Sequence, residues 1–503
     1  MTTIVWAGIA FTQADAPPQR DAALCVEGNR IIAAGQKADL LARYPDAAVV
    51  GGAEYLLLPG FVNSHDHGRA VGSASLGVPD DLLEVWLTML GAQPSIPPYL
   101  AAAYEAIQLI RSGVTATAHS HNPLDWANMH AEAQDSLRGY GDVGVRVAFH
   151  PPIIDQNLLV YGDEAEFIAA APPALQPLLH EATEPIPLSR EDYFALCADL
   201  MERYHDVEAH TVHIQVSPAG GQWCSDELTL ACVDFARQYQ TRVQMHMLET
   251  RYQRQYAYRR WGKGFIQHLE EIGAMGEWLT LAHMVYAEPA DFPILAECRV
   301  GVAHNASSNL RLRSGVAPIA AMHAAGVRLG VGLDGHALDD DQDFLREMRL
   351  AWTLANQPGA TSGTLTASQV LALGTTGAAA ITFGADVPLG TLAVGQLADC
   401  VLIDWDALRG DFAPAMHPTL DYTADYLLRR ANRAHVRQVM INGTWRLRDG
   451  RVVGVDETAI TAAIRDELAR QLTSGVLQRH REQQQALLTH LRSFYAAWDN
   501  SRS

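Results

Sequence analysis

The stretch LLLPGFVNSHDH, Leu56 to His67, opens as an apolar run and closes on two histidines separated by a single residue. An apolar run of this length beside a Pro-Gly pair reads as a buried strand. In an extended strand the side chains at i and i+2 share a face, so His65 and His67 can reach one point at the strand end. The same design recurs in VTATAHSH (114–121), VRVAFHPP (145–152), HIQVSPAG (213–220), VQMHMLE (243–249), WLTLAHM (278–284), VGVAHNA (300–306) and RLGVGLDG (328–335). Most of these runs start apolar and finish with His, Asn, Asp or Glu near the carboxyl end, and helical stretches separate them. Eight strand candidates alternating with helices predict an α/β fold, a (β/α)8 TIM-type barrel, whose active site gathers at the carboxyl ends of the strands. The interval 153–212 is too long for a single barrel helix and predicts an insertion or additional helices.

Outside this centre the texture changes. Residues 1–58 hold short β-rich pieces such as TIVWAGIAFT and AALCVEGNRIIAAG, and the part beyond 388 returns to the same pattern in PLGTLAVGQLADCVLIDW and VRQVMINGTWRLRDGRVV. The expected organisation is a composite β-sandwich from 1–58 with 388–456, a barrel over 59–387, and a helical extension over 457–503. That extension carries Leu, Val, Phe and Trp at helical intervals, which suits packing on the barrel or a contact between copies in a homo-oligomer.

Bulk properties narrow the function. With 48% hydrophobic and 19% charged residues the chain reads as a soluble globular protein. The 37 basic against 57 acidic residues give a formal net charge of −20, which repels nucleic acid and anionic membranes. The six cysteines are scattered without a CxxC pair, no signal peptide is evident at the start, and no apolar run is long enough to span a membrane. The expectation is a reduced, cytoplasmic protein acting on a small molecule.

An HxH pair alone is more often a surface or hydrogen-bonding feature than a metal site. Its weight rises here because three later strands also end in ligand-type residues, His246, His283 and Asp334. Imidazole nitrogen and carboxylate oxygen suit zinc or ferrous iron, and three or four protein ligands leave a position for water.

The ordered set PGFVNSHDH (59–67), SPAGGQWCSDEL (217–228), HMLETR (246–251), LAH (281–283), HNASSNLRLRSGVAPI (304–319), GVGLDG (330–335) and DFLREMR (343–349) resembles the amidohydrolase superfamily, in its cytosine-deaminase-like and triazine-hydrolase-like branch. The resemblance covers nearly the whole chain, including LGTLAVGQLADCVLID (389–404). It implies one divalent metal, zinc before iron, held by His65, His67, His246 and Asp334. It implies that His283 orients the attacking water or the reacting carbonyl, and that Glu249 shuttles the proton. HIQVSPAGG (213–221) contains no lysine, the strand-4 residue that binuclear relatives carboxylate, so one metal is expected. The chemistry suits these residue types: Asp334 can also accept the water's proton, Glu249 can protonate a ring nitrogen or a departing amine, and His283 can stabilise charge at the attacked carbon. Two departures stand out, GLDGHALDDDQD (332–343) after strand 8 and Ala306 where proline is frequent. They bear on substrate loops more than on metal chemistry.

Around this core, His119, His121, His150, Gln222, Trp223, His304 and Asn305 stand where substrate contacts are expected. His119 and His121 form a second HxH. No lysine or spare carboxylate accompanies them in sequence, so substrate contact or hydrogen bonding outweighs a second metal. Cys224-Ser225 could suggest a nucleophile, but CSDEL reads better as a helix start capped by Ser225. The function expected first is hydrolytic deamination of an N-heterocycle of pyrimidine, purine or triazine type. The alternatives are amide or urea-type C–N cleavage or dechlorination at the same metal, and a ligand-binding barrel without turnover.

Overall fold

Strands β1 (Thr2–Ala10), β2 (Gln19–Glu27) and β3 (Arg30–Gln36) form an antiparallel meander, and β4 (Ala48–Pro59) runs parallel to β1. The end of β4 continues into the run that opens the sequence reading, but it belongs to this terminal sheet: Leu56 to Pro59 pair antiparallel with Ile403 to Cys400. Gly60 then redirects the chain, where a Cβ would lie 2.2 Å from the Thr115 hydroxyl. The first barrel-type strand is therefore only β5 (Phe61–Asn63), shorter than the sequence suggests. These features come from a computed structural model, which describes residues 2–69, 71–360, 364–411, 419–473 and 475–499.

The centre of the chain supplies β6 (Val114–Ser120), β7 (Arg146–His150), β8 (Pro152–Ile153), β9 (Val212–Ile214) and β10 (Ser217–Pro218). It continues with β11 (Val243–Met247), β12 (Leu279–His283), β13 (Gly301–His304) and β14 (Arg328–Val331). Two parallel four-stranded sheets result, ordered β5-β6-β7-β9 and β11-β12-β13-β14, while β8 pairs with β10. At one junction Gln244 N donates to Val216 O (3.1 Å), and at the other Ser64 N donates to Val331 O (2.9 Å) and Asp334 N to His65 O (2.9 Å). Nearly every residue of these strands is buried, as expected where helices cover a parallel sheet. The arrangement is a TIM-barrel-type α/β fold.

Strands β15 (Cys400–Asp404), β16 (Val436–Ile441), β17 (Thr444–Arg448) and β18 (Arg451–Val452) return to the terminal strands, giving one eight-stranded sheet ordered β18-β17-β16-β15-β4-β1-β2-β3. It is tied to the parallel sheet by a buried fork. Arg146 of β7 donates from Nε and an Nη to the two carboxylate oxygens of Asp399, each at 2.8 Å. Removing one partner would strand a buried charge at a cost of about 3–5 kcal/mol.

Between β8 and β9 stand the helices Glu164–Ala170, Gln176–Ala182 and Arg190–Tyr204. Ser225 caps the helix Asp226–Gln238, its hydroxyl accepting from Leu228 N at 3.1 Å. The last helices, Glu457–Thr473 and Val476–Asp499, lie against the body of the protein. Leu491, Tyr495 and Trp498 are buried, Tyr495 between the rings of Tyr161 and Tyr252. Residue 474 and residues 500–503 of the expected extension lie outside the described residues. No helix among the described residues is long and apolar enough to cross a membrane.

Candidate metal-dependent active site

β5 stops at Asn63, two residues before His65, so the HxH pair sits on the loop that follows rather than within the strand. Asp66 turns this loop. Its carboxylate accepts from His67 N (2.7 Å) and Gly68 N (3.1 Å), and Gly68 adopts φ +60, where a side chain would run into the His119 ring. His246 comes from β11. His283 ends β12, and Asp334 follows β14.

Three ring nitrogens are fixed from behind. His65 Nδ1 lies 2.8 Å from Gln244 Oε1, His67 Nδ1 2.8 Å from Ser120 O, and His246 Nδ1 2.6 Å from Ala219 O. Each partner is an oxygen acceptor, so each Nδ1 carries the proton and each Nε2 presents a lone pair to the centre. There the atoms crowd together: Asp334 Oδ1 is 3.2 Å from His65 Nε2 and 3.1 Å from His67 Nε2, while His67 Nε2 and His246 Nε2 are 3.2 Å apart. Burial lowers His67 to about 4 and His246 well below its ordinary value, which keeps these rings neutral at neutral pH. Converging lone pairs and a carboxylate, buried except for the half-buried His246 and with no proton between them, form a site for a divalent cation. Ligand atoms of His65, His67 and His246 lie within 4.8 Å of one another, as do those of His65, His283 and Asp334.

Glu249 and His283 stand beside this centre. Glu249 Oε2 is 3.6 Å from His283 Nε2, and Asp334 Oδ2 is 3.9 Å from the same nitrogen. His283 Nδ1 lies 2.9 Å from Asn309 Oδ1. Burial lowers His283 to about 4, whereas burial with the Asp334 and Glu84 carboxylates raises Glu249 well above its ordinary value. A ring held neutral at neutral pH and a carboxyl biased toward its protonated form therefore face each other. The backbone is strained at this spot: His283 has φ 79, Asp334 φ 61, and Leu248, next to Glu249, φ 51. Left-handed non-glycine residues persist where surrounding contacts over-determine them.

A cavity of about 100 Å3 opens onto these groups, reached by His67, His246, Glu249, His283 and Asp334. Of the residues expected to contact substrate, His121 and Trp223 line it. His119, His150, Gln222, His304 and Asn305 are not among the residues that line it. His150 spends both ring nitrogens, on His119 O (3.1 Å) and Gln215 Oε1 (2.9 Å). His119 faces Tyr140 Oη at 2.9 Å and stacks on Phe149. Asn305 Nδ2 is 3.3 Å from His283 Nδ1, behind the reacting groups. Gln222 and His304 are fully buried without reaching the cavity. The second HxH does have a carboxylate: Glu132, eleven residues downstream on the helix Met129–Val143, lies 3.2 Å from His121 Nε2. Glu132 also accepts from Leu124 N and Asp125 N, which makes it the anchor of that loop.

The sequence reading missed Arg69, Leu83, Trp86 and Leu87 as cavity residues. Arg69, two residues past the HxH, was within reach of inspection. The others lie on the helix Leu83–Leu90, whose approach to the carboxyl ends of the parallel strands no local pattern announces. A larger cavity of 680 Å3 lies between Tyr161, the helix Arg251–Trp261 and the last helix, and the metal-type residues do not reach it.

A parallel α/β scaffold with histidines and an aspartate converging at the strand ends defines a metal-dependent hydrolase. Residues 56–446 match the amidohydrolase family, and the chain belongs to it. It is 28% identical over 459 residues to a 5-methylthioadenosine/S-adenosylhomocysteine deaminase of Desulforudis audaxviator, covering 90% of this chain and 95% of that one. It is 29% identical over 449 residues to an 8-oxoguanine deaminase of Pseudomonas aeruginosa, covering 87% and 92%. Among solved structures, a zinc-bound adenosine deaminase from Xanthomonas campestris superposes with TM-score 0.76 at 26% identity, covering 94% of this chain and 98% of that one. An atrazine chlorohydrolase from Arthrobacter aurescens complexed with zinc shares the fold, with TM-score 0.79 at 21% identity and coverage of 93% and 100%.

Proposed function

We propose that the protein deaminates a small N-heterocycle hydrolytically, with one zinc ion held by His65, His67, His246 and Asp334. The observation that carries this reading is Glu249, a buried carboxyl raised well above its ordinary value, 3.6 Å from His283 and on the same cavity as the ligand cluster. When bound, the metal supplies a water acidic enough to react near neutral pH. Asp334, beside the position such a water would take, would accept one of its protons. Glu249 protonates the ring nitrogen, then collects the remaining hydroxyl proton of the added water and passes it to the departing amine, so the C–N bond breaks with ammonia leaving and a carbonyl remaining, and the proton held by Asp334 restores Glu249. His283 stabilises the negative charge that builds on the attacked centre. Trp223, Trp86 and Leu83 supply flat apolar walls suited to a planar ring, and His121 and Arg69 the polar contacts.

Zinc is favoured over iron because zinc is bound in structures of similar proteins and suits the nitrogen and oxygen donors. The same reading takes the parallel strands as a closed eight-stranded barrel over 59–387. It takes 1–58 with 388–456 as a composite β-sandwich, and 457–503 as a helical extension.

The test is a panel of aminopyrimidines, purine bases, purine nucleosides and amino- or chlorotriazines, assayed separately for ammonia, chloride and new carboxylate, with metal analysis of the same sample. Ammonia release by zinc-loaded protein is the expected result. Chloride or carboxylate alone would move the assignment to dechlorination or amide cleavage, and metal without any turnover would overturn it.

A further inference from the structure

Glu249 sits on a turn, and the turn is held from outside the barrel. Leu248 adopts φ 51, and Thr250 is the N-cap of the helix Arg251–Trp261. Gln253 Oε1 of that helix accepts from Glu249 N at 2.7 Å, which fixes the backbone on one side. On the other side the Thr250 hydroxyl donates to Glu84 Oε1 at 2.5 Å. Glu84 is buried, and the helix that carries it, Leu83–Leu90, also places Leu83, Trp86 and Leu87 on the cavity. Glu84 itself does not line the cavity.

We propose that Glu84 is a positioning residue for Glu249, aiming the proton-carrying carboxyl through the Thr250 hydroxyl. The proposal rests on the role given to Glu249 above. A proton transferred between two sites on a substrate demands a carboxyl held within a fraction of an ångström, and a displacement of about 1 Å can cost 10²-fold in rate. A single turn with one left-handed residue does not supply that rigidity, whereas clamps at residues 249 and 250 do. Burial raises Glu84 to about 7, so a neutral amide in its place preserves much of its character. The helix of Glu84 is in turn braced by the last helix of the chain. Arg492 pairs with Asp81 just before it, and Gln484 Nε2 donates to Thr88 O at 2.9 Å. The carboxyl-terminal helix thus stands two contacts away from the turn that bears Glu249.

The experiment compares zinc-loaded wild type, Glu84→Gln, Glu84→Ala, Thr250→Val and Thr250→Ser. Crystal structures locate the Glu249 carboxyl, and kinetics use whichever compound of the panel releases ammonia. Glu84→Gln and Thr250→Ser should leave Glu249 in place and keep kcat within about threefold. Glu84→Ala and Thr250→Val should displace the carboxyl and lower kcat by about tenfold or more, with KM changed less than about threefold and zinc content unchanged. If Glu84→Ala does not fold, Thr250→Val carries the same comparison. An unmoved Glu249 in both disruptive variants would overturn the proposal. So would a rise in KM at constant kcat, which would mean that Glu84 touches the substrate. Should no compound release ammonia, the proposed function fails, and the crystallographic comparison still decides the positioning claim.

Discussion

His67 Nε2 and His246 Nε2 lie 3.2 Å apart, and neither carries a proton, because Ser120 O and Ala219 O accept from the Nδ1 atom of each ring. Two lone pairs at that distance repel unless a cation lies between them and the neighbouring Asp334. The purified protein should accordingly hold about one divalent metal per chain. His67→Ala or Asp334→Ala should lose the metal or weaken its binding by orders of magnitude, read by elemental analysis and by titration against a chelator. Full hydrolytic activity in chelator-treated, metal-free protein would end the metal assignment.

Glu249→Gln keeps the size of the side chain and removes its titratable proton. Metal content should stay near one, and KM should change little, while turnover of an amine-releasing substrate falls by roughly 10²-fold or more. A substrate whose leaving group needs no proton should suffer much less. Equal turnover by variant and wild type on an amine-releasing compound would remove Glu249 from the reaction.

His121 and His150 separate a cavity residue from a supporting one. His121→Ala should shift KM or substrate preference at constant metal content, since the ring lines the cavity. His150→Ala should act through stability, since both ring nitrogens are bonded in the interior. A loss of about 2–4 kcal/mol is expected from the cavity and the stranded partners. Denaturant titration and steady-state kinetics on the two variants read the contrast. Equal effects on KM from both would contradict the placement of His150.

Glu347 links pH to stability. It is buried on the helix Phe344–Leu354, accepts from Ser307 N at 2.9 Å, and burial raises it to about 7 from 4.5. Between those values the folded state holds a proton that the unfolded chain has released. Its contribution to stability is therefore complete below about 4.5 and is lost as pH rises through about 7. Relative to Glu347→Gln, the melting temperature of the wild type should fall as pH goes from about 5 to about 8. A difference between the two proteins that does not vary with pH would contradict the raised value.

The residues proposed to react were legible in the sequence because their signals are local. His65 and His67 are two positions apart, and His246, His283 and Asp334 each close an apolar run. Such runs specify parallel strands, and parallel strands deliver their carboxyl ends to one mouth. Gly60, by contrast, is one residue inside an apolar run, and only packing against Thr115 reveals that β4 and β5 enter different sheets. Likewise, a histidine at a strand end faces the cavity or the wall according to its neighbours: His121 reaches the cavity, while His150, in a similar sequence setting, spends its ring on Gln215 and His119.

What the sequence by itself determined, then, is the order of strands and the identity of the groups proposed to hold a metal and move protons. Both follow from short-range patterns of burial and side-chain chemistry. The tertiary structure alone decided which side chains wall the cavity and which contacts fix the backbone around Glu249. The wall comes from Leu83, Trp86 and Leu87, and the clamp from Glu84 to Thr250, across 166 positions. Contacts between elements so far apart depend on how whole helices pack over the ends of the parallel strands, and no spacing within either segment encodes them.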